Sequence, residues 1–420
     1  MKAAFYQNNR KKLHEKLKDQ SLTVMFAGAA PQKSADEDYP FIPNRNFYYL
    51  TGIAEPKIIL VMTKLNNKVE EHLFIEKADP FMEKWIGKTI AKDEAKEASG
   101  IESIKELDHF KPFLQQQLFL NQLEHLYLDL ERRSWESPQT AASMFAEEAA
   151  SKYPYLQCHD LYQDICELRL FKTPEEVETI KKAARITSEG IKHLIANAKP
   201  GMKEYELEAY FNFILKSRGV KDFAFNTICA SGKNATVLHY VDNNDTANDG
   251  ELVLLDLGAQ YDYYSSDISY TFPLNGKFSD RQKLFYNIVL KALREVTALI
   301  KPGRNFSELN EATKKILAEE CQQIGLIENP EEISKYYYHG VSHSLGLDTH
   351  DVGSYRNRVL EPGMVLTVEP GLYIEEEAIG IRIEDDVLVT EDGYEVLTDD
   401  LVRSVEDIEA FMAGKTEEVK

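Results

Sequence analysis

The chain has 420 residues, 43% of them apolar and 28% charged, with a formal net charge of −21; that is enough chain for a large core, expected to divide into two domains. So acidic a balance excludes generic binding to nucleic-acid phosphates or anionic membranes, and no apolar run approaches the ~20 residues needed to span a bilayer. Cys158, Cys166, Cys229 and Cys321 are scattered without CxxC spacing, which speaks against a zinc or dithiol motif and fits a reducing cytoplasm.

The first candidate element is SLTVMFAGAA, Ser21 to Ala30, apolar and preceded by a lysine-rich segment. A secretory leader would reach its apolar region sooner and lack Glu15 and Asp19, so a first β-strand is expected. KIILVMT, EHLFIE and HLYLDL read as further strands, and Lys92 to Ala98 and Gln139 to Lys152 as helices. Residues 1–168 are therefore expected to form an α/β domain whose composition declares no chemistry. Ala35 to Gly52, ADEDYPFIPNRNFYYLTG, is aromatic and turn-rich and reads as loop and packing.

A boundary near Leu170 to Thr173 opens a second domain, residues 169–420. Thr173, Pro174 and Glu176 supply an N-cap, a first-turn proline and a capping-box acid. The spacing of Val177, Ile180, Ala184, Ile191, Leu194 and Ile195 predicts an amphipathic helix that stops at Lys199-Pro200-Gly201. That stop recurs: KPGMKEYELEAYFNFILKSRG at Lys199 is echoed by KPGRNFSELNEATKKILAEECQQIG at Lys301, and DGELVLLDLG around Asp256 by PGMVLTVEPG around Glu369. A repeat of roughly a hundred residues is too long for a solenoid and points to two duplicated halves about a pseudo-two-fold axis.

Between these repeats, Leu252 to Phe272 reads as two strands joined by a tight turn. A turn centred on Tyr261 and Asp262 makes Asp256 and Asp267 cross-strand partners on one face. Paired carboxylates among Leu254, Leu255, Leu257 and Ile268 require a cation, either a Lys or Arg or a divalent metal. The duplication adds Glu369 and Glu384, so four acids converge on the seam between the halves. Six histidines lie in helical or surface-like contexts; His239, His339, His343 and His350 lie in loops beside the seam. Asp, Glu and His ligands favour a borderline divalent ion, with a lean toward manganese. They exceed the needs of one tetrahedral zinc and fit a two-metal hydrolytic site.

LLDLGAQYDYYSSDISYTFP, HGVSHSLGLDTHDVG, EPGMVLTVEPGLYI and GIRIEDDVLVT together resemble the pita-bread metallopeptidases, most closely the bacterial Xaa-Pro aminopeptidases. ADEDYP, NRNFYYLTGIAEP and EKWIG resemble that family's non-catalytic domain, so the likeness spans the chain. It implies an N-terminal α/β domain followed by an α/β (α+β) pita-bread catalytic domain with internal pseudo-two-fold symmetry. It further implies two divalent ions, Mn2+ by preference, on Asp256, Asp267, His343, Glu369 and Glu384, with Asp267 and Glu384 bridging. Glu369 is the implied general base, and His239 and His350 the implied donors to the substrate carbonyl and oxyanion. His339, Tyr373 and Arg382 match supporting or proton-relay positions, and Arg356 a substrate-side arginine. Asp36 and Trp85 match positions that complete a neighbour's pocket, which implies a homo-oligomer, a dimer or tetramer.

The implied substrates are peptides with proline in the second position. Such a bond lacks the N–H that general peptidases grip. A prolidase-like dipeptidase would use the same site, whereas a creatinase would not need the five ligands. A methionine aminopeptidase usually lacks so large an N-terminal domain, and a metal-free binding module would not retain the ligand set. Between Tyr373 and Gly380, YIEEEAIG is shorter than the insertion of the larger bacterial enzymes, which leaves all ligands in place and alters one pocket wall.

Overall fold

The computed structural model describes residues 1–414 and divides the chain into two compact units, Met1–Arg169 and Leu170–Lys420. The first unit is built on a six-stranded sheet in the order Ser103–Glu106, Lys68–Ile75, Ile59–Leu65, Ser21–Phe26, His125–Leu128, Gln157–Asp160. Ile59–Leu65 runs antiparallel to both of its neighbours, Lys68–Ile75 and Ser21–Phe26, while the other three pairs are parallel. Asn66 and Asn67, at φ 50° and 60°, close the central hairpin with a two-residue turn that only Asn, Asp or Gly enters cheaply. Leu22, Val24, Phe74, Phe110, Leu126 and Leu128 form its core.

All four apolar strands expected from the sequence are present. The two outer strands, Ser103–Glu106 and Gln157–Asp160, were not foreseen, because each is four residues long and neither buries a residue fully. The segment expected to be loop contains a helix, Arg45–Thr51, capped by the Asn44 side chain and ended by Gly52 at φ 69°.

The second unit repeats one order of elements. Helices Pro174–Asn197 and Glu204–Ser217 lead to a sheet of Ile228–Ser231, Leu252–Leu257 and Ile268–Pro273. Helices Asp280–Thr297 and Ser307–Gln323 lead to a sheet of Val365–Val368, Asp385–Val389 and Tyr394–Val396. The Thr173–Glu176 and Ser279–Gln282 capping boxes both form. Every residue of the expected apolar stripe from Val177 to Ile195 is buried. The halves meet where Glu384 N donates to Ser269 O at 3.0 Å and Thr271 Oγ1 donates to Arg382 O at 3.0 Å.

One expectation is corrected. Asp262 and Tyr263 occupy the left-handed region at φ 46° and 66°, so the hairpin turn sits one residue later than Tyr261-Asp262. Asp256 consequently pairs with Ser269 and Leu257 with Ile268; in that register Asp267 lies across from Gly258. A slip of two residues preserves the face that a side chain occupies, whereas a slip of one inverts it. Asp256 and Asp267 thus share a face as diagonal neighbours and are not directly opposed.

Gly258 has no room for a side chain, since a Cβ there would lie 2.0 Å from the Ser266 carbonyl oxygen. Gly258→Ala is expected to destabilise the protein by about 2–3 kcal/mol through forced displacement of the Asp267 strand. Thermal unfolding at matched metal load measures this, and an unchanged midpoint would show that the two strands can part freely.

Candidate metal centre

The strand ends of both sheets deliver carboxylates to one place. Asp267 precedes Ile268–Pro273, Glu384 precedes Asp385–Val389, and Glu369 follows Val365–Val368. Asp267, His343 and Glu384 each offer an atom, all within 4.8 Å of one another, and all three residues are buried. His343 Nε2 lies 3.3 Å from Asp267 Oδ2 and 3.6 Å from Glu369 Oε1. Its other nitrogen, Nδ1, is 3.1 Å from the Ser344 carbonyl, which only accepts, so Nδ1 carries the proton. The Nε2 lone pair then points at carboxylate oxygens, an arrangement that needs a cation or a proton between them.

Asp256 joins the group through Arg382. The buried guanidinium donates from Nη2 to Asp256 Oδ2 at 2.7 Å, from Nε to Ser269 Oγ at 2.7 Å and from Nη1 to the Tyr373 hydroxyl at 3.0 Å. Ser269 Oγ passes the contact on by donating to Glu384 Oε2 at 2.8 Å. Both cation types weighed from the sequence thus bear on the site, because an arginine does meet Asp256. It is not sufficient: Asp256 Oδ1 and Glu384 Oε1 stay buried with no hydrogen-bond partner. Two orphaned carboxylate oxygens beside an imidazole lone pair that faces the carboxylates fit a divalent ion.

Electrostatics agree. Burial, then the nearby Asp256, Asp386 and Glu369, drive the Asp267 carboxyl well above its usual range. Burial, then Asp267, Glu369 and Asp256, do the same to Glu384. Glu369 is pushed up to about 7, chiefly by burial, against the opposing pull of His343 and Arg382. A divalent ion set among these groups reverses each of these effects.

Around the carboxylates stand the other histidines. His339 Nδ1 faces the Gly340 carbonyl at 2.8 Å, so its Nε2 accepts from the Tyr373 hydroxyl at 2.8 Å. With Tyr373 in turn accepting from Arg382, the donor direction runs Arg382 to Tyr373 to His339. Burial and the Arg382 charge hold His339 down to about 4. His350 is likewise held to about 4, by burial and by His343, whose ring centroid is 4.2 Å away. His239 is exposed and close enough to contribute to the repulsion felt by both. Arg356 is an exposed loop cation within electrostatic reach of His350. Asp36 and Trp85 belong to the first unit and are exposed, Trp85 to 74%.

Three supporting residues escaped the sequence reading. Ser269 is an unremarked strand serine, and Asp386 accepts from Asp267 N at 3.3 Å. Lys172 is fully buried, with Nζ 3.0 Å from Asp351 Oδ2 and 3.3 Å from Ser344 Oγ, and it ties the residues adjoining His350 and His343 together. Only the acidic run Glu384-Asp385-Asp386 gave any signal; a lone lysine before a helix gives none.

The model of metallopeptidase family M24 matches residues 178–391, and that of the aminopeptidase P N-terminal domain residues 6–127. The Xaa-Pro aminopeptidase of Escherichia coli (strain K12) is 35% identical over 444 residues, covering 97% of each chain. The Xaa-Pro dipeptidase of Rattus norvegicus is 31% identical over 471 residues, covering 98% of this chain and 94% of its own. A solved Bacillus anthracis structure, described as a proposed aminopeptidase P, is 58% identical with a TM-score of 0.98 and full coverage of both chains.

Because burial and crowding raise the carboxyls, loading a divalent ion is expected to expel protons. Calorimetric titration with Mn2+ at about pH 6, in two buffers of different ionisation enthalpy, is expected to show release of about one proton or more per chain. Zero release or uptake would contradict the electrostatics described above.

Proposed function

From the premise that the chain belongs to metallopeptidase family M24 and is an Xaa-Pro aminopeptidase, a hydrolase acting on peptides with proline second, we propose how its residues perform that reaction. Asp256, Asp267, His343, Glu369 and Glu384 would hold two divalent ions, with manganese as the working metal. When bound, the ions supply Lewis acidity and an acidified water. The observation that carries this reading is the convergence of buried Asp267, His343 and Glu384 within 4.8 Å, with orphaned oxygens on Glu384 and Asp256.

Glu369 takes the proton of the attacking water as general base. It lies beside His343 and within reach of a relay, with His339 Nδ1 3.7 Å from Oε2. His239 and His350 donate hydrogen bonds to the substrate carbonyl and to the oxygen on which charge develops. Neutral imidazole suits that task for His350, since each neutral ring offers one N–H. Arg382 fixes Asp256 and, through Tyr373, the tautomer of His339, so that ring keeps its proton on Nδ1. Arg356 meets the substrate from its loop, and Asp36 and Trp85 complete the pocket of a neighbouring subunit in a cytoplasmic homo-oligomer.

A dipeptidase reading stays in play on one observation, the 31% identity to a Xaa-Pro dipeptidase over nearly the whole chain. Cleavage of Xaa-Pro-Yaa in preference to Xaa-Pro supports the aminopeptidase; the reverse supports the dipeptidase. Hydrolysis of Ala-Ala-Ala as fast as Ala-Pro-Ala would overturn the proline preference.

Two substitutions separate the roles. Asp267→Ala or Glu384→Ala is expected to lose bound metal and activity together. His239→Ala is expected to keep the metal while kcat falls about a hundredfold, the size of effect typical of a lost oxyanion donor. Metal analysis beside steady-state kinetics reads both, and a His239→Ala protein stripped of metal would show the two roles to be misassigned.

A further inference from the structure

His239 is exposed on the loop between the Ile228–Ser231 and Leu252–Leu257 strands, and an exposed loop side chain is ordinarily a poor aim for a reacting atom. Behind that loop lies Glu204, the first residue of the Glu204–Ser217 helix, with no exposed surface. Oε1 accepts from Ser231 N at 2.7 Å, Ser231 Oγ at 2.8 Å and Asn234 Nδ2 at 3.1 Å. Oε2 accepts from the Tyr240 hydroxyl at 2.8 Å and Asp245 N at 2.9 Å. The main-chain Glu204 N adds a bond to Asp245 O at 3.0 Å.

This carboxylate makes no ion pair among those described, and every donor on it is neutral. A buried charge satisfied only by neutral donors costs more to keep than a well-packed apolar side chain unless its geometry is needed. Its donors come from the two ends of segment 231–245 and from Tyr240, the residue next to His239. The opposite side of the segment is also closed down, since Gly380 leaves no room between the Arg382-bearing strand and the Ala235 carbonyl, 2.0 Å from a notional Cβ. Pinned at both ends and beside the histidine, the loop has one arrangement.

We infer that Glu204 is a positioning residue for His239: one buried carboxylate gathers the loop and fixes where that imidazole stands. The inference rests on His239 acting on the substrate, as proposed above. Glutamine at 204 keeps the volume but turns an NH2 toward Ser231 N or toward Asp245 N, neither of which can accept, so the gathering fails on one side.

A double-mutant cycle tests this on the metal-loaded full chain. Glu204→Gln is expected to lower kcat on a Xaa-Pro-Yaa peptide about tenfold with bound metal unchanged, and to cost less than about twofold when His239→Ala is already present. Equal losses in both backgrounds, or no loss in the parent, overturn the inference. If His239→Ala alone leaves kcat intact, the role of His239 fails first, and the parent activity on proline peptides reports separately on the reaction. Should Glu204→Gln not fold, Tyr240→Phe removes a single bond to the carboxylate. It is expected to lower kcat about threefold in the parent and not in the His239→Ala background, and an unchanged parent kcat overturns the proposal.

Discussion

The constraint on which the catalytic unit depends is the confinement of like charge. Asp267, Glu369, Glu384 and Asp386 are set close together among buried strands, with Asp256 at their edge, and Arg382 is the guanidinium that reaches into them. In a medium that screens poorly, such a group is unstable unless protons or cations are held among the oxygens. The surrounding architecture answers that instability: strands end where carboxylates are required, a serine divides its hydroxyl between Arg382 and Glu384, and His343 turns its lone pair inward. Mutual repulsion among these carboxylates and affinity for a divalent ion are one property seen from two sides.

Hydrogen-bond direction adds order to that electrostatic core. A guanidinium can only donate and a backbone carbonyl can only accept, so fixing Arg382 at one end and Gly340 at the other determines every proton between them. Tyr373 must accept from Arg382 and donate to His339. The Lys172–Asp351 pair does comparable work beneath His343 and His350, with its charges wholly withdrawn from solvent. Glycine enters the same scheme by absence: Gly346 leaves space for Asp351 Oδ2, which would lie 2.3 Å from a Cβ.

Much of this was legible in the sequence where the signal was local. The capping box at Thr173, the apolar stripe from Val177 to Ile195 and the four apolar strands of the first unit depend on near neighbours, and each formed as expected. Polar edge strands left no pattern, because a strand paired on one side and wet on the other has no apolar alternation to read. The hairpin register failed by two residues because the turn is set by which pair enters the left-handed region, and Asp262-Tyr263 is not a common choice. The converging acids were visible through the duplication and the family likeness. Lys172, Ser269 and Glu204 were not, since their importance comes from partners far away in the chain, and residue type alone does not mark it.

That hairpin also says something about how the chain can vary over evolutionary time. Its tip, Asp262-Tyr263, projects from a ladder in which Ala259–Tyr261 pairs with Tyr264–Ser265. Because facing alternates along each strand, growth or shrinkage of the tip by one residue on both arms together keeps Asp267 on the side it now occupies, whereas a single unmatched insertion before Asp267 turns it away. Changes at the tip that leave the ladder unbulged must therefore come in balanced steps. The parity of its length thus constrains the centre as firmly as a side chain does.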